Sequence, residues 1–397
     1  MVDGIMKKFH EDVVIYILLR LPVKSLMRLK CISKTWYSLM QSSTFINLHL
    51  NRTTTYNDEL IFFKRSIKLE PDLFKNKLSF LYSDNEDDLT PVYPDIDVPY
   101  LTSDYCSRFH QLIGPCRGLI ALTDFTVIVL LNPATRKYRL LPGSPFVCPK
   151  GFTFVTRGVG FGYSTAENYY KLVRIFEVYT DPYDRDLDAR HSKVEVYDSC
   201  TDCWRDLDLT VKLLPKVRRF ACSEIFYKEI FHWCAHDDTV MILCFDISLE
   251  TFHYMKLPDH CHFWDNKGYG LAVLNNYLTF ITYPNPRCAL DPGQEFTDIW
   301  IMEEYGVNGT WIKKYTIRPL PIESSLAIWK DNLLLLQSIS GTLSTYNLNS
   351  DELKEFNLQG FTSTLRLVVY KESLTIIPRE SDNGTEVQNF LEYDNLT

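Results

Sequence analysis

The sequence predicts a mostly β protein: a module of three to four short helices, then a β-propeller of six blades, with seven as the alternative count. Three observations carry this. Helical apolar spacing is confined to roughly the first fifty residues, where Trp36 and an unbroken apolar run at 13–19 stand together. A strand–turn–strand unit recurs through the remainder. The bias there is β-forming, with 24 Tyr and 24 Phe and aromatics at 14%, which argues against a helical solenoid.

The first helix is predicted from EDVVIYILL. Glu11 and Asp12 stand where the positive end of a helix dipole favours acids. Val13, Ile17 and Leu21 form one apolar seam, Val14 and Leu18 a second, and Ile15, Tyr16 and Leu19 fill the rest of the circumference. A helix apolar on every side needs cover on every side. The run is too short for a bilayer span, which takes about 20 residues. The acids before it and Leu21-Pro22-Val23-Lys24 after it do not fit a secretory signal. Pro22 ends this helix and suits the first turn of the next, which carries Val23, Leu26, Met27 and Leu29. Ser33 is the expected N-cap of a third helix with Trp36, Leu39 and Met40. Ser42-Ser43-Thr44 is expected to break the chain before Phe45-Ile46-Asn47-Leu48. Helices this few hide less apolar surface than they offer. Either the large domain covers the surplus or a separate protein docks on it.

This stretch closely resembles the F-box. The residues that carry the resemblance are Leu21-Pro22-Val23-Lys24-Ser25-Leu26, Lys30-Cys31-Ile32-Ser33-Lys34 and Trp36. The resemblance implies docking to the Skp-type adaptor of an SCF ubiquitin ligase and, through it, to cullin and a RING subunit. Ile17, Leu18, Leu21, Pro22, Val23, Leu26 and Trp36 would then form or support the adaptor face. Phe9-His10 stands where the family usually has Leu-Pro. His10 lacks the fixed φ of proline, so slightly weaker helix initiation is expected there.

Residues 1–50 are assigned to this module, 51–59 to a linker, 60–380 to the propeller, and 381–397 to a polar tail expected to be mostly disordered. Within 60–380, alternating strands reach Asn132, Asp198, Asp246, Glu304 and Asn347, and return at Tyr138, Trp204, Phe252, Trp311 and Leu353. Asn and Asp can cap their own turns. The five anchors are 66, 48, 58 and 43 residues apart, near the roughly 50-residue kelch blade. The kelch double-glycine signature is absent, so that comparison is architectural only. Each hairpin exposes faces that a neighbouring hairpin must cover, and radial stacking supplies the cover. Residues 60–82 are expected to give a first blade, and 365–370 to close the ring.

The region also resembles the F-box-associated domain of plant F-box proteins. The matching stretches are Cys116-Arg117-Gly118-Leu119-Ile120, Asn132-Pro133-Ala134-Thr135-Arg136-Lys137, Gly160-Phe161-Gly162-Tyr163, Tyr169-Tyr170-Lys171-Leu172-Val173 and Phe231-His232-Trp233. Residues 311–321 and 370–375 are similar to the S-locus F-box group of self-incompatible plants. That likeness implies a pollen protein that recognises pistil S-RNases and directs non-self ones to ubiquitination. Its expected place is the pollen-tube cytoplasm, with the nucleus as an alternative.

Charge bears on the partner. With 42 basic and 50 acidic residues the net charge is −8, which disfavours nucleic acid. Acidic stretches occur at 84–88 and 181–188. They read as solvated loops or as a surface steering a basic protein, and S-RNases of this family are typically basic. Asp181, Asp184, Asp186 and Asp188 are the candidate substrate contacts.

Other motifs are read as structural. The 11 cysteines follow no framework spacing, which reads as free thiols. Cys200-x-x-Cys203 stands without a second pair, and His232-x-x-x-His236 would span about 13 Å in a strand. No metal or cofactor is assigned. Gly158-Val159-Gly160-Phe161-Gly162 lacks a following Lys-Ser/Thr and reads as a strand under close backbone approach. The sequons at Asn51, Asn308, Asn383 and Asn395 are taken as chance.

No catalytic constellation is expected. The chain would act by proximity, one end holding the ligase and the other the substrate. The alternative is a propeller that binds a small molecule, or acts on one as a lectin or oxidase would, or that binds another protein outside self-incompatibility. An enclosed central pocket with converging polar groups would favour a small-molecule role.

Overall fold

The computed structural model describes residues 11–52, 59–70, 73–82, 89–91, 95–97, 111–124, 127–180, 191–207, 219–236, 239–258, 261, 267–285, 295–307, 310–330, 332–361, 364–378 and 388–389. Four helices come first: α1 (Glu11–Leu18), α2 (Val23–Lys30), α3 (Lys34–Gln41) and α4 (Ser43–Leu50). Pro22 is the N-cap of α2 at φ −58°, one position before the expected first turn. Ser33 caps α3, its hydroxyl accepting from the Trp36 N–H at 3.2 Å. Ser42 does the same for α4 through the Phe45 N–H at 3.2 Å. The serine pair expected to break the chain therefore starts a helix, because an N-cap and a breaker share the same residue types.

Strands then form six sheets, one per blade. Blade 1 holds β1 (Glu59–Glu70), β2 (Leu73–Tyr82), β3 (Thr90–Pro91) and β4 (Ile96–Asp97). Blade 2 holds β5 (Gln111–Cys116), β6 (Leu119–Thr123), β7 (Ile128–Asn132) and β8 (Lys137–Leu140). Blade 3 is β9 (Thr153–Ser164), β10 (Tyr169–Tyr179), β11 (His191–Asp198) and β12 (Cys203–Asp206). Blade 4 is β13 (Arg219–Tyr227), β14 (Ile230–His236), β15 (Val240–Asp246) and β16 (Thr251–Met255). Blade 5 is β17 (Lys267–Leu274), β18 (Tyr277–Pro284), β19 (Thr297–Met302) and β20 (Trp311–Ile317). Blade 6 is β21 (Ile322–Trp329), β22 (Leu333–Ser338), β23 (Thr342–Asn347) and β24 (Glu352–Gln359).

The expected closure is present. β25 (Arg366–Lys371) pairs antiparallel with β1, Phe63 opposite Leu367, and becomes the innermost strand of blade 1. A last short strand, β26 (Gln388–Asn389), adds to the outer edge of blade 2.

The five repeated hairpins of the sequence are the outer two strands of blades 2 to 6. The fourth strands leave one face largely exposed, as β24 does, whereas second and third strands such as β6 and β7 are buried on both faces. Each hairpin is therefore legible as an apolar run, a turn residue and a half-exposed return strand. Asn132, Asp246 and Asn347 each accept two backbone N–H groups of their own turn. Asp198 pairs with Arg205 instead.

Six apolar clusters lie between successive blades. One example joins Ile113, Leu119 and Leu130 of blade 2 to Val159, Phe161, Tyr197 and Trp204 of blade 3. Gly160 and Gly162 on β9 permit the next interface. A Cβ at these positions would lie 2.8 Å from the Phe231 ring and 2.6 Å from the Phe226 ring. The glycine-rich run is thus a strand under close approach.

Candidate functional site

The two apolar seams of α1 have different fates. Val14 and Leu18 are 6% and 1% exposed and pack with Val23, Leu26, Trp36, Met40, Phe45 and Ile46. Val13, Tyr16 and Ile17 remain 44%, 58% and 52% exposed. Leu21 is partly buried and Pro22 exposed. Of the seven residues read as an adaptor face, Ile17, Leu21 and Pro22 reach the surface. Leu18, Val23, Leu26 and Trp36 form the interior that holds them.

Sequence reading did not single out His49. It is fully buried on α4, and its Nε2–H donates to the Leu21 carbonyl at 3.3 Å. Its Nδ1 accepts from the Arg52 guanidinium at 2.8 Å. Accepting on Nδ1 requires the neutral ring, and burial, with Arg52 adding to it, lowers its pKa to about 4. His49 thus pins the turn that presents Leu21 and Pro22.

The large domain covers another side of the helices. Leu374, just after β25, is buried within the helical cluster, and Ala134 packs against it. The Val23 N–H donates to Glu372 at 3.3 Å, and Arg117 hydrogen-bonds Asn47. Asn132 holds this junction together. Its Oδ1 caps the β7–β8 turn, while its Nδ2 donates to the carbonyls of Ser373 at 3.0 Å and Thr375 at 2.7 Å. Tyr370 donates to the same Oδ1 at 3.2 Å. One amide thereby binds the ring-closing segment to blade 2 beneath the helices.

Strand direction separates the two faces of the propeller. The helices contact the β5–β6 turn through Arg117, the β7–β8 turn through Ala134, and the exit of β25 through Leu374. In blades 2 to 6 the turns between the first and second strands (counted from the axis) lie on this near face. So do those between the third and fourth strands of blades 2 to 6. Most are short, as at 117–118, 165–168, 199–202 and 275–276. Longer connections join strands on the far face, at 141–152, 180–190, 207–218 and 285–296.

The stretch that carries Asp181, Asp184, Asp186 and Asp188 lies outside the described residues, as does 84–88. Its anchors, Tyr179 and His191, belong to the far face. Beside them Val147, Phe152 and Phe154 are exposed. Phe154 meets Phe146 and Phe176 edge-on, at 5.7 and 5.9 Å between centroids.

The innermost strands β5, β9, β13, β17, β21 and β25 ring the axis, and a cavity of about 280 Å³ lies between them. Leu112, Phe226, Leu271 and Leu367 supply apolar wall, and Glu224 and Arg366 supply charge. Glu224 Oε2 is sealed from solvent with no hydrogen-bond partner. Burial raises this carboxyl to about 7, and Arg366 opposes the shift.

The remaining motifs serve packing. Asp202, inside the Cys200-x-x-Cys203 turn, takes Arg139 at 2.5 Å and Tyr197 at 2.5 Å, joining blades 2 and 3. Cys200 and Cys203 are exposed free thiols. His232 is buried with Nε2 2.8 Å from the Tyr305 hydroxyl, and burial lowers its pKa to about 4. Among the described residues no three or more His, Cys, Asp or Glu side chains are grouped to hold a metal, and no helix is long and apolar enough to cross a membrane.

Comparison with known families decides the identity. Residues 91–377 match the F-box associated beta propeller domain, and residues 7–48 match the F-box domain. The chain is a member of the F-box proteins with an associated propeller. It is 26% identical to the Arabidopsis thaliana F-box protein CPR1 over 92% of this chain and 88% of the relative. It is also 26% identical to an Arabidopsis thaliana F-box/kelch-repeat protein over 84% and 86% of the two chains. Among solved structures, an oligogalacturonate lyase in complex with manganese aligns at a TM-score of 0.42 with 10% identity, covering 74% of this chain and 77% of the lyase. That likeness is distant and says nothing of function. An F-box joined to a propeller is the substrate-receptor architecture typical of SCF-type ligases. The F-box implies binding to a Skp-type adaptor, and the exposed seam of α1 is an apolar surface available to one.

Proposed function

We propose that this F-box protein is the receptor subunit of an SCF-type ubiquitin ligase whose substrate is a basic S-RNase, acting in the pollen-tube cytoplasm. The observation that carries the reading is the division of the molecule into two faces. The F-box sits on a near face of mostly short, fixed turns. The long connections, where recognition usually resides, emerge from the far face. Adaptor and substrate would then bind without competing. The net charge of −8 and the acidic stretch anchored between Tyr179 and His191 favour a basic partner. Exposed Val147, Phe152 and Phe154 beside it supply apolar contact.

The test replaces Asp181, Asp184, Asp186 and Asp188 together with Asn and measures association with a panel of S-RNases at low and at physiological salt. Slower association with at least one S-RNase, with the salt dependence reduced, supports the reading. Unchanged rates for the variant, or no S-RNase bound by the intact chain, would overturn it.

A second reading rests on the axial cavity, where Glu224, Arg366 and Ser325 stand in a largely apolar lining. There the propeller would hold a small polar molecule outside self-incompatibility. Glu224→Gln that leaves S-RNase binding intact but releases a co-purifying small molecule, seen by native mass spectrometry, would favour it.

A further inference from the structure

A groove of about 280 Å³ runs between the F-box and blade 2. Met27, Leu374 and Ile377 supply apolar lining, and Tyr37 and Ile376, both exposed, stand beside them. Two cationic residues, Lys30 and Lys137, also line it. Neither has an acidic partner among the described residues. Burial and the neighbouring Lys137 both lower the pKa of Lys30. Two like charges held together beside apolar surface call for an anion with an apolar body.

The chain itself carries such a segment, and β26 aims it. β26 runs antiparallel to β8 with Gln388 opposite Tyr138 and Asn389 opposite Lys137. The strand thus ends beside Lys137, which itself lines the groove, where β8 gives way to the 133–136 turn. The residues that follow Asn389 read Phe390-Leu391-Glu392-Tyr393-Asp394. In an extended chain Leu391 and Tyr393 would share one face, and Phe390, Glu392 and Asp394 the other. Leu391 and Tyr393 suit the apolar lining, and the two carboxylates suit the two lysines.

We propose that residues 390–394 dock in this groove and strap the F-box to the propeller. The strap would reinforce the seat that Leu374, Glu372 and Arg117 already give the F-box on the propeller.

The test has two parts on soluble full-length protein. First, carbodiimide is added to the intact chain, since it joins carboxylates only to ammonium groups in contact, and mass spectrometry maps the products. Cross-links from Glu392 or Asp394 to Lys30 or Lys137 are expected. Second, a labelled peptide of residues 387–397 is added to a chain truncated after Asn389. Binding to the truncated chain is expected to be at least tenfold tighter than to the intact one. Lys30→Glu with Lys137→Glu should remove it, and Glu392→Lys with Asp394→Lys in the peptide should restore it. Cross-links that go elsewhere, a peptide that ignores the truncated chain, or charge reversal without effect would each overturn the proposal.

Discussion

At the scale of single residues, Asn132 shows why an amide stands where blades 3 and 4 carry Asp198 and Asp246. An amide can accept on Oδ1 and donate twice from Nδ2, and Asn132 uses all three capacities. Asn132→Asp keeps the turn cap but turns an oxygen on two carbonyls. A loss of about 2–4 kcal/mol is expected in denaturant unfolding, while Asn347→Asp, whose Oδ1 only caps its turn, should be nearly neutral. The sequence showed Asn132 as a turn residue. Its second task was illegible because Ser373 and Thr375 lie far along the chain. His49 was missed for the same reason, since its partner Leu21 is remote and the F-box likeness rests on other residues.

Three titrating groups set a pH dependence at this scale. His49 and His232 are ordinarily near 6.5 and are both held near 4. The unfolded rings take up protons first, so their contribution is full above about pH 6.5 and is lost as pH falls toward 4. Glu224 runs the other way. Raised from 4.5 to about 7, it contributes fully below 4.5 and loses that contribution as pH rises through 7. Unfolding midpoints measured at pH 7 and pH 5 should therefore differ less in His49→Gln/His232→Gln than in the parent. In Glu224→Gln the fall on acidification should steepen.

At the scale of elements, α1 has one buried seam and one exposed seam. Ile17→Glu should leave the melting temperature within a degree or two while removing adaptor binding. Leu18→Ala, by contrast, empties a buried site and should cost about 2–5 kcal/mol. The sequence marked both seams as apolar but could not say which faced inward, because that depends on α2, α3 and Leu374. The blades divide in the same way. The repeated hairpins were legible through an apolar run, a turn residue and a half-exposed return strand, and most of the doubly buried first and second strands were not. Gly160→Ala would drive a methyl into Phe231, and a loss of about 1–3 kcal/mol is expected from thermal unfolding.

At the scale of the whole molecule, the ring closes through β25, and the segment just after it supplies Leu374 to the F-box. Closure of the propeller and seating of the F-box are therefore one structural event. Removing everything after Leu365 should destabilise both modules together, and limited proteolysis should cut the F-box and blade 1 at similar rates. The closing strand was readable as a β segment, but its coupling to the helices was not, since nothing in residues 366–378 alone points to them. Under the proposed function the same geometry would keep the adaptor on the near face and leave the far face to a substrate.

The most direct measurement of the receptor account is a pull-down from pollen-tube extract with the intact chain and with Ile17→Glu, read by mass spectrometry. The account predicts Skp-type adaptor, cullin and RING subunit with the intact chain only, and the same S-RNases with both. Adaptor retained by Ile17→Glu, or absent from both, would contradict it.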